Sequence, residues 1–305
     1  MPEKFDIIIP TYNNLSELKE CLNGFSGQTF KDFRIMVSVD GSNDGTNEYL
    51  ESTQFEFELI KLNHPDNAHK GRDETRNLSL NQITAEYILL FDSDIVPDDI
   101  LLQKHYELLE KKECISVGEI IYKNADENIW AYYLQRRGRG KYKDMAEMPA
   151  YYLNTENVAF GSKYFIESGG QDLDLSKSYG GDDTVLGYRI YRKFNIPTMY
   201  NKSAVGYSVL DKSLEKALEQ MREFGNVNLK IIKNKYPELN QIFKLNIMES
   251  KTFPNIFIRL FLNKSVVKSL LKTITFLPKR LRLWYVKLLV FYSVYKGYKS
   301  QPIVK

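Results

Sequence analysis

Short apolar runs alternate with helical repeats along the first two-thirds of the chain. Phe5 to Pro10, Phe33 to Val39 and Phe57 to Leu62 read as strands. Between the first two, Leu15, Leu18, Leu22 and Phe25 recur at helical spacing behind Asn14, a capping residue type. Gly41 to Gly45 is a turn that opens another helix, and a further helix over Arg72 to Gln82 leads into Tyr87 to Phe91. Five apolar residues in a row mark that last run as a strand buried on both faces. It stops at Asp92-Ser93-Asp94, where a period of two sets both carboxylates on one face and Ser93 on the other. A helix follows over Asp98 to Lys111, with Asp98 placed to cap it after Pro97. Strands at Ile115 to Tyr122 and Asn157 to Phe160 come next, and Gly180-Gly181-Asp182-Asp183 opens a helix carrying Val185, Leu186 and Ile190 inward. Ser213 to Lys235 reads as one long amphipathic helix. Lys123 to Pro149, centred on Arg136-Arg137-Gly138-Arg139-Gly140-Lys141, is polar and reads as a loop, mobile or simply solvated. The alternation implies βαβ units and an α/β fold on a mostly parallel sheet.

Composition changes this picture little. The chain has 305 residues, 43% hydrophobic and 27% charged, enough for one large domain or two smaller ones. Cys21 and Cys114 make neither a disulfide framework nor a zinc site, which fits a reducing compartment. The N-terminus has no signal-peptide pattern, and no window offers the roughly 20 apolar residues of a spanning helix. Charge changes the picture more. Lys251 to Lys305 holds 12 Lys and Arg and no acid, while the rest carries 30 basic against 39 acidic residues. A mildly acidic body with a basic, aromatic tail divides the expected domains at 1–235 and 236–305.

The candidate chemistry sits at strand ends. Open α/β sheets bind ligands beyond the carboxyl ends of their strands, and two acids there suit a hard cation with a phosphate on its far side. A turn with a helix cap is the plain alternative. Thr11 and Asp40 fall in the crevice after strands one and two, where a carboxylate accepts a uracil N3–H or caps the Gly41 turn. Asp182 and Asp183 stand at a helix N-terminus, which favours anions with or without a function.

Five motifs then line up: Ile9-Pro10-Thr11-Tyr12-Asn13, Asp40-Gly41-Ser42-Asn43-Asp44-Gly45-Thr46, Arg76-Asn77, Asp92-Ser93-Asp94 and Gly180-Gly181-Asp182-Asp183. Over Phe5 to Asn201 this resembles the family 2 inverting glycosyltransferases of the GT-A fold. It looks most like the branch with an aromatic-Gly-Gly-Glu-Asp motif, also seen in chondroitin-polymerising and galactosyltransferase enzymes. The resemblance implies a GT-A nucleotide-binding sheet flanked by helices, with a helical C-terminal tail. It implies a nucleotide-sugar donor, UDP-linked, and a glycan or lipid-linked acceptor. Pro10, Thr11, Tyr12 and Ser93 would contact the nucleotide and Asp40 would read the base. Arg76 would orient Asp40 or Asp92 or touch the diphosphate; otherwise it is an exposed partner of Asp73. Asp94 would ligate Mn²⁺ or Mg²⁺, and Asp92 would meet ribose or metal-bound water. Asp183 takes the base position and Asp182 the neighbouring acid that holds the acceptor hydroxyl. Asn157 and Gly169-Gly170 match weaker, structural elements.

Two features depart from the family pattern. A second acid usually stands where this chain has Val39, and the late His that often completes the metal site is missing. Asp211 is a possible replacement, whereas His64, His69 and His105 are expected at the surface.

The tail stretches Ile256 to Leu277 and Leu281 to Tyr298 mix Lys and Arg with Trp284, Tyr285, Phe291, Tyr292, Tyr295 and Tyr298. A basic polar face and an aromatic apolar face are expected, the pattern of an interfacial membrane helix, which predicts a peripheral protein on the cytoplasmic face. Packing on the body or a dimer interface are the alternatives; nucleic acid is not expected, because these aromatics sit among Leu and Val. A nucleotidyltransferase is a rival reading of the same sheet, but it wants a Gly-rich basic loop where Thr11-Tyr12-Asn13-Asn14 stands. A catalytically inert binding protein is the other rival. A dinucleotide-binding dehydrogenase fails for want of Gly-x-Gly-x-x-Gly.

Overall fold

A computed structural model describes residues 3–176, 178–249 and 264–301. It divides into two compact units: 1–123, 135–176 and 182–209 form the first, and 124–134, 177–181 and 210–305 the second.

The first unit is built on a nine-stranded sheet. Its strands are β1 (Phe5–Thr11), β2 (Phe33–Val39), β3 (Glu58–Asn63), β4 (Tyr87–Phe91), β5 (Ile95–Pro97), β6 (Ile115–Tyr122), β7 (Ala146–Met148), β8 (Asn157–Gly161) and β9 (Thr198–Ser208). They lie in the order β3-β2-β1-β4-β8-β6-β9-β5, with β7 also on β9. The first four are parallel; β8 runs antiparallel to both β4 and β6, and β6 and β9 are parallel again. This reversal matters for the site. In the register Phe91 faces Asn157, so the residues just before β8 arrive beside the acids just after β4.

Both faces of β1 and β4 are fully buried, as their continuous apolar runs require. Ile8, Ile88, Leu90, Val158 and Phe160 pack with Leu186 and Ile190 of α7 (Asp182–Phe194). On α1 (Leu15–Ser26), Leu18, Leu22 and Phe25 of the predicted stripe are buried together with Cys21, while Leu15 is half-buried, and Phe25 meets Phe91 edge-on at 5.2 Å. A fully buried Phe or Leu stabilises the fold by about 1.5–3 kcal/mol. The stretch Lys123 to Pro149 is more ordered than a loop. It holds a helix, Ile129–Arg136, a 3₁₀ turn, Gly138–Lys141, and β7. Trp130 and Tyr133, buried and stacked on each other, are the apolar face that the surrounding charges concealed.

In the second unit the expected long helix is two helices, Leu214–Asn226 and Asn228–Lys235, broken at Val227 (φ −110°, ψ −80°). Asparagines flank the break. Asn226 Nδ2 donates to Ser300 Oγ and Gln301 O, and Asn228 Nδ2 to the carbonyls of Ser178 and Gly180. The C-terminal helix, Lys279–Lys299, lies against the first of the two. Only glycine allows that approach. A Cβ on Gly225 would stand 2.1 Å from Val294 O, and one on Gly297 1.9 Å from Arg222 O. Val286 and Leu289 join Trp130, Leu214 and Leu218 in one apolar cluster, while Tyr292 and Tyr295 are also buried. The basic and apolar residues of this helix are not sorted onto opposite faces. Of the apolar stretch Ile256 to Leu277, residues 256–263 lie outside the described residues.

Candidate active site

Three loops at the carboxyl ends of β1, β2 and β4 are fastened together by side chains. Asp40 N donates to Thr11 O at 2.9 Å, continuing the β1–β2 ladder. Asn13 Oδ1 accepts from Asn43 N at 2.8 Å, and Leu15 N donates to Asp44 Oδ2 at 2.9 Å. Asn14 makes no cap bond to α1. It accepts instead from Thr11 Oγ1 at 2.5 Å and donates to buried Ser93 Oγ at 2.7 Å, which ties the first loop to the Asp-Ser-Asp turn.

Asp40 is buried and does not cap the Gly41 turn. Its carboxylate accepts from Lys70 N at 2.7 Å and Gly71 N at 3.0 Å, and lies 2.8 Å from His69 Nδ1. Gly41 (φ +70°) lets this second loop pass, since a Cβ there would stand 2.8 Å from the backbone of residues 67–69.

A charged cluster fills the space beyond. Arg76, on α3 (Arg72–Asn77), is 0% exposed and pairs with Asp92, so it is no surface partner of Asp73. One turn earlier, Arg72 Nη2 lies 2.8 Å from Asp182 and Nη1 3.8 Å from Asp92. Asn77 holds the Gly169-Gly170 segment by exchanging two bonds with Gln171. Burial, reinforced by the nearby charge of Asp182, pushes Asp73 up to about 8. The two acids that open α7 part ways. Burial opposes the charge on Asp182, but Arg72 and Arg76 hold it below the usual carboxylate range. Burial and then the Asp182 charge raise Asp183 to about 6. Thr155 Oγ1 donates to Asp183 at 2.6 Å, a bond made possible by the reversed direction of β8.

Asp94 reaches solvent at the rim, yet crowding by the protein, then the charges of Asp92 and Glu156, lift it to about 7. Like charges around a carboxyl are what a divalent cation relieves, so this donor set fits Mn²⁺ or Mg²⁺ with phosphate and water completing the shell. Among the described residues no three His, Cys, Asp or Glu side chains form a ready-made metal cage.

The histidine expectation is corrected. Only His69 is exposed. His64 is buried against Thr75 Oγ1 at 2.9 Å, and His105 is buried between Ser116 Oγ and Asn157 Oδ1. Burial pushes His105 down to about 4, so it stays neutral and structural. Asp211 belongs to the second unit. Arg72, Asp73, Thr155 and Glu156 were missed as site residues. The i,i+4 spacing of Arg72 and Arg76 was the one available signal; Thr155 and Glu156 had none, because strand pairing alone brings them in.

This is an α/β sheet whose acids converge beyond the carboxyl ends of its strands. Residues 6–169 match glycosyl transferase family 2, and the chain belongs to that family and carries a glycosyltransferase domain. A Campylobacter jejuni relative, GalNAc(5)-diNAcBac-PP-undecaprenol beta-1,3-glucosyltransferase, is 24% identical over 241 residues, 72% of this chain and 77% of that protein. Matches to two Streptococcus pneumoniae glycosyltransferases, GlyG and GlyA, span 46% and 32% of those proteins' lengths. The Staphylococcus aureus TarS 1–349 structure in complex with UDP-GlcNAc superposes with a TM-score of 0.55 at 18% identity, covering 97% of this chain and 91% of that one. The Pyrobaculum calidifontis mannosyltransferase PcManGT, with GDP-Man and Mn²⁺, gives 0.57 at 16% identity, covering 95% and 74%. These likenesses agree with the GT-A fold expected from the motifs.

Proposed function

We propose that the protein transfers a sugar, with inversion, from a UDP-sugar to a hydroxyl of a glycan or lipid-linked saccharide in surface polysaccharide synthesis. The observation that carries this reading is the pair of adjacent acids on α7 held in different states. Asp182, locked to Arg72, is fixed as an anion that can accept a hydrogen bond from the acceptor hydroxyl. Asp183, raised to about 6, has the basicity to take that hydroxyl's proton near neutral pH. The oxygen then attacks the anomeric carbon from the face opposite the diphosphate, and one displacement inverts the centre. Pro10, Thr11, Tyr12, Asp40 and Ser93 line the nucleoside side, with Asp40 the base reader. Arg76 orients Asp92 toward ribose or metal-bound water. Asp94, with Asp92, would hold Mn²⁺ or Mg²⁺, which neutralises the departing diphosphate when bound.

The second unit supports contact with an anionic membrane surface. Phe276 is 86% exposed and Trp284 74%, among the basic residues of a tail that carries 12 positive charges. No described helix is long and apolar enough to cross a membrane; the contact proposed is peripheral, on the cytoplasmic face. Calorimetric titration of UDP with and without Mn²⁺, in wild type and Asp94→Ala, tests the donor reading. UDP affinity should depend on Mn²⁺ in the wild type and lose that dependence in the variant. Equal affinity in all four titrations sinks it.

A further inference from the structure

The crevice assigned to the base is filled by a side chain of the protein itself. The ring of His69 lies flat on Tyr12, centroids 4.1 Å apart and planes 28° from parallel. Its Nδ1 is 2.8 Å from Asp40 Oδ2 and, facing a carboxylate, carries the proton and donates it. The Lys70 and Gly71 amides take other acceptor positions of the same carboxylate. A flat nitrogen heterocycle on Tyr12, with a ring N–H on Asp40, is what a bound uracil would present there. Guanine offers a comparable ring N–H. The matching ring nitrogens of cytosine and adenine are acceptors instead, which a carboxylate repels.

The imidazole is also placed to leave. The His69 side chain is 54% exposed and Tyr12 47%, so neither is locked in by packing. The clamp on Asp40 is made by the backbone of Lys70 and Gly71, with Gly71 at φ +94°, and a side-chain swing at His69 leaves it intact.

Resting on the UDP-sugar reading above, we propose that His69 is a stand-in for the nucleobase. It occupies the base crevice of the empty protein and swings off Tyr12 and Asp40 when a nucleoside diphosphate with a ring N–H enters. Apparent affinity is then reduced by the fraction of molecules whose crevice is closed. Removing the imidazole should therefore tighten binding, the opposite of what losing a base contact does.

Full-length wild type and His69→Ala are titrated with UDP, GDP and CDP in the presence of Mn²⁺. Expected is UDP binding about fivefold tighter in the variant, as for a crevice open about a fifth of the time, with CDP weak in both. The chain has three histidines, so their ring protons are separable by NMR. Those of His69 should be shifted by the Tyr12 ring in the free protein and lose that shift on adding UDP, while buried His105 stays put. Equal or weaker UDP binding by His69→Ala, or His69 signals unmoved in the UDP complex, overturns the stand-in and leaves the donor reading standing. If no protein binds any nucleotide, with or without Mn²⁺, both fall together.

Discussion

Around α3 the protein hides charge; in its C-terminal helical unit it exposes apolar surface. Arg76 and Asp182 have almost no contact with water, whereas Phe276 and Trp284 are mostly exposed to it. Each is unfavourable by itself. An unpaired buried ion costs several kcal/mol, and an aromatic left in water forgoes about 1.5–3 kcal/mol of burial. The buried charges are offset by one another: Arg76 against Asp92, Arg72 against Asp182. The exposed aromatics are offset by nothing within the described residues. The first region is thus satisfied by its own internal pairing, while the second leaves aromatic surface uncovered among the described residues.

The largest expected effect tests whether the hidden charges are chemical or only structural. Asp183→Asn should lower turnover about 10²–10⁴-fold while UDP affinity holds, because the base acts on the acceptor. With Asp183 raised to about 6, the wild-type rate should rise with pH and level off above that value, as the carboxyl gives up its proton. If Asp182→Asn loses turnover and Asp183→Asn keeps it, the two acids have exchanged roles.

The exposed aromatics come next. Phe276→Ser with Trp284→Ser should reduce flotation with anionic vesicles about tenfold or more at low salt, since both lose buried apolar area. Added salt should weaken wild-type flotation without abolishing it, because screening acts on Lys and Arg alone. Wild type that stays at the bottom of the gradient ends the membrane reading. Deleting the tail is a poorer test, because it removes the helix that packs on Leu214–Asn226 through Val294 on Gly225 and Gly297 on Arg222, and would leave that helix uncovered.

The smallest effect is on stability. Asp73 is raised to about 8 in the fold, above the unfolded value of about 4. Its folded form keeps a proton that the unfolded chain gives up. Its contribution is therefore complete below about pH 4 and is lost as pH climbs toward 8. Asp73→Asn should flatten the urea midpoint between pH 5 and 8. A variant with the wild-type slope removes Asp73 from the buried-charge account.

Period and punctuation alone were enough for β1, β2, β4 and β6, and for Asp40 and Asp92, which follow β2 and β4, because a buried parallel strand must be apolar throughout and must stop at polar residues. The same logic placed Asp182 and Asp183 at the start of α7. It failed at Ile129–Arg136, where a short aromatic face lies inside a basic stretch, and at Val227, where two flanking asparagines break a helix that periodicity runs through. Tertiary structure decided the rest. That Arg76 is buried on Asp92, that Asn14 bridges Thr11 and Ser93, that Thr155 reaches Asp183 and that His69 lies on Tyr12 all depend on partners from 3 to 79 residues away. Which of two equivalent acids is held down and which is lifted depends on the same contacts, since burial and neighbouring charge are properties of the assembled site. Local sequence fixes where the chain turns polar; only folding sets what that polarity faces.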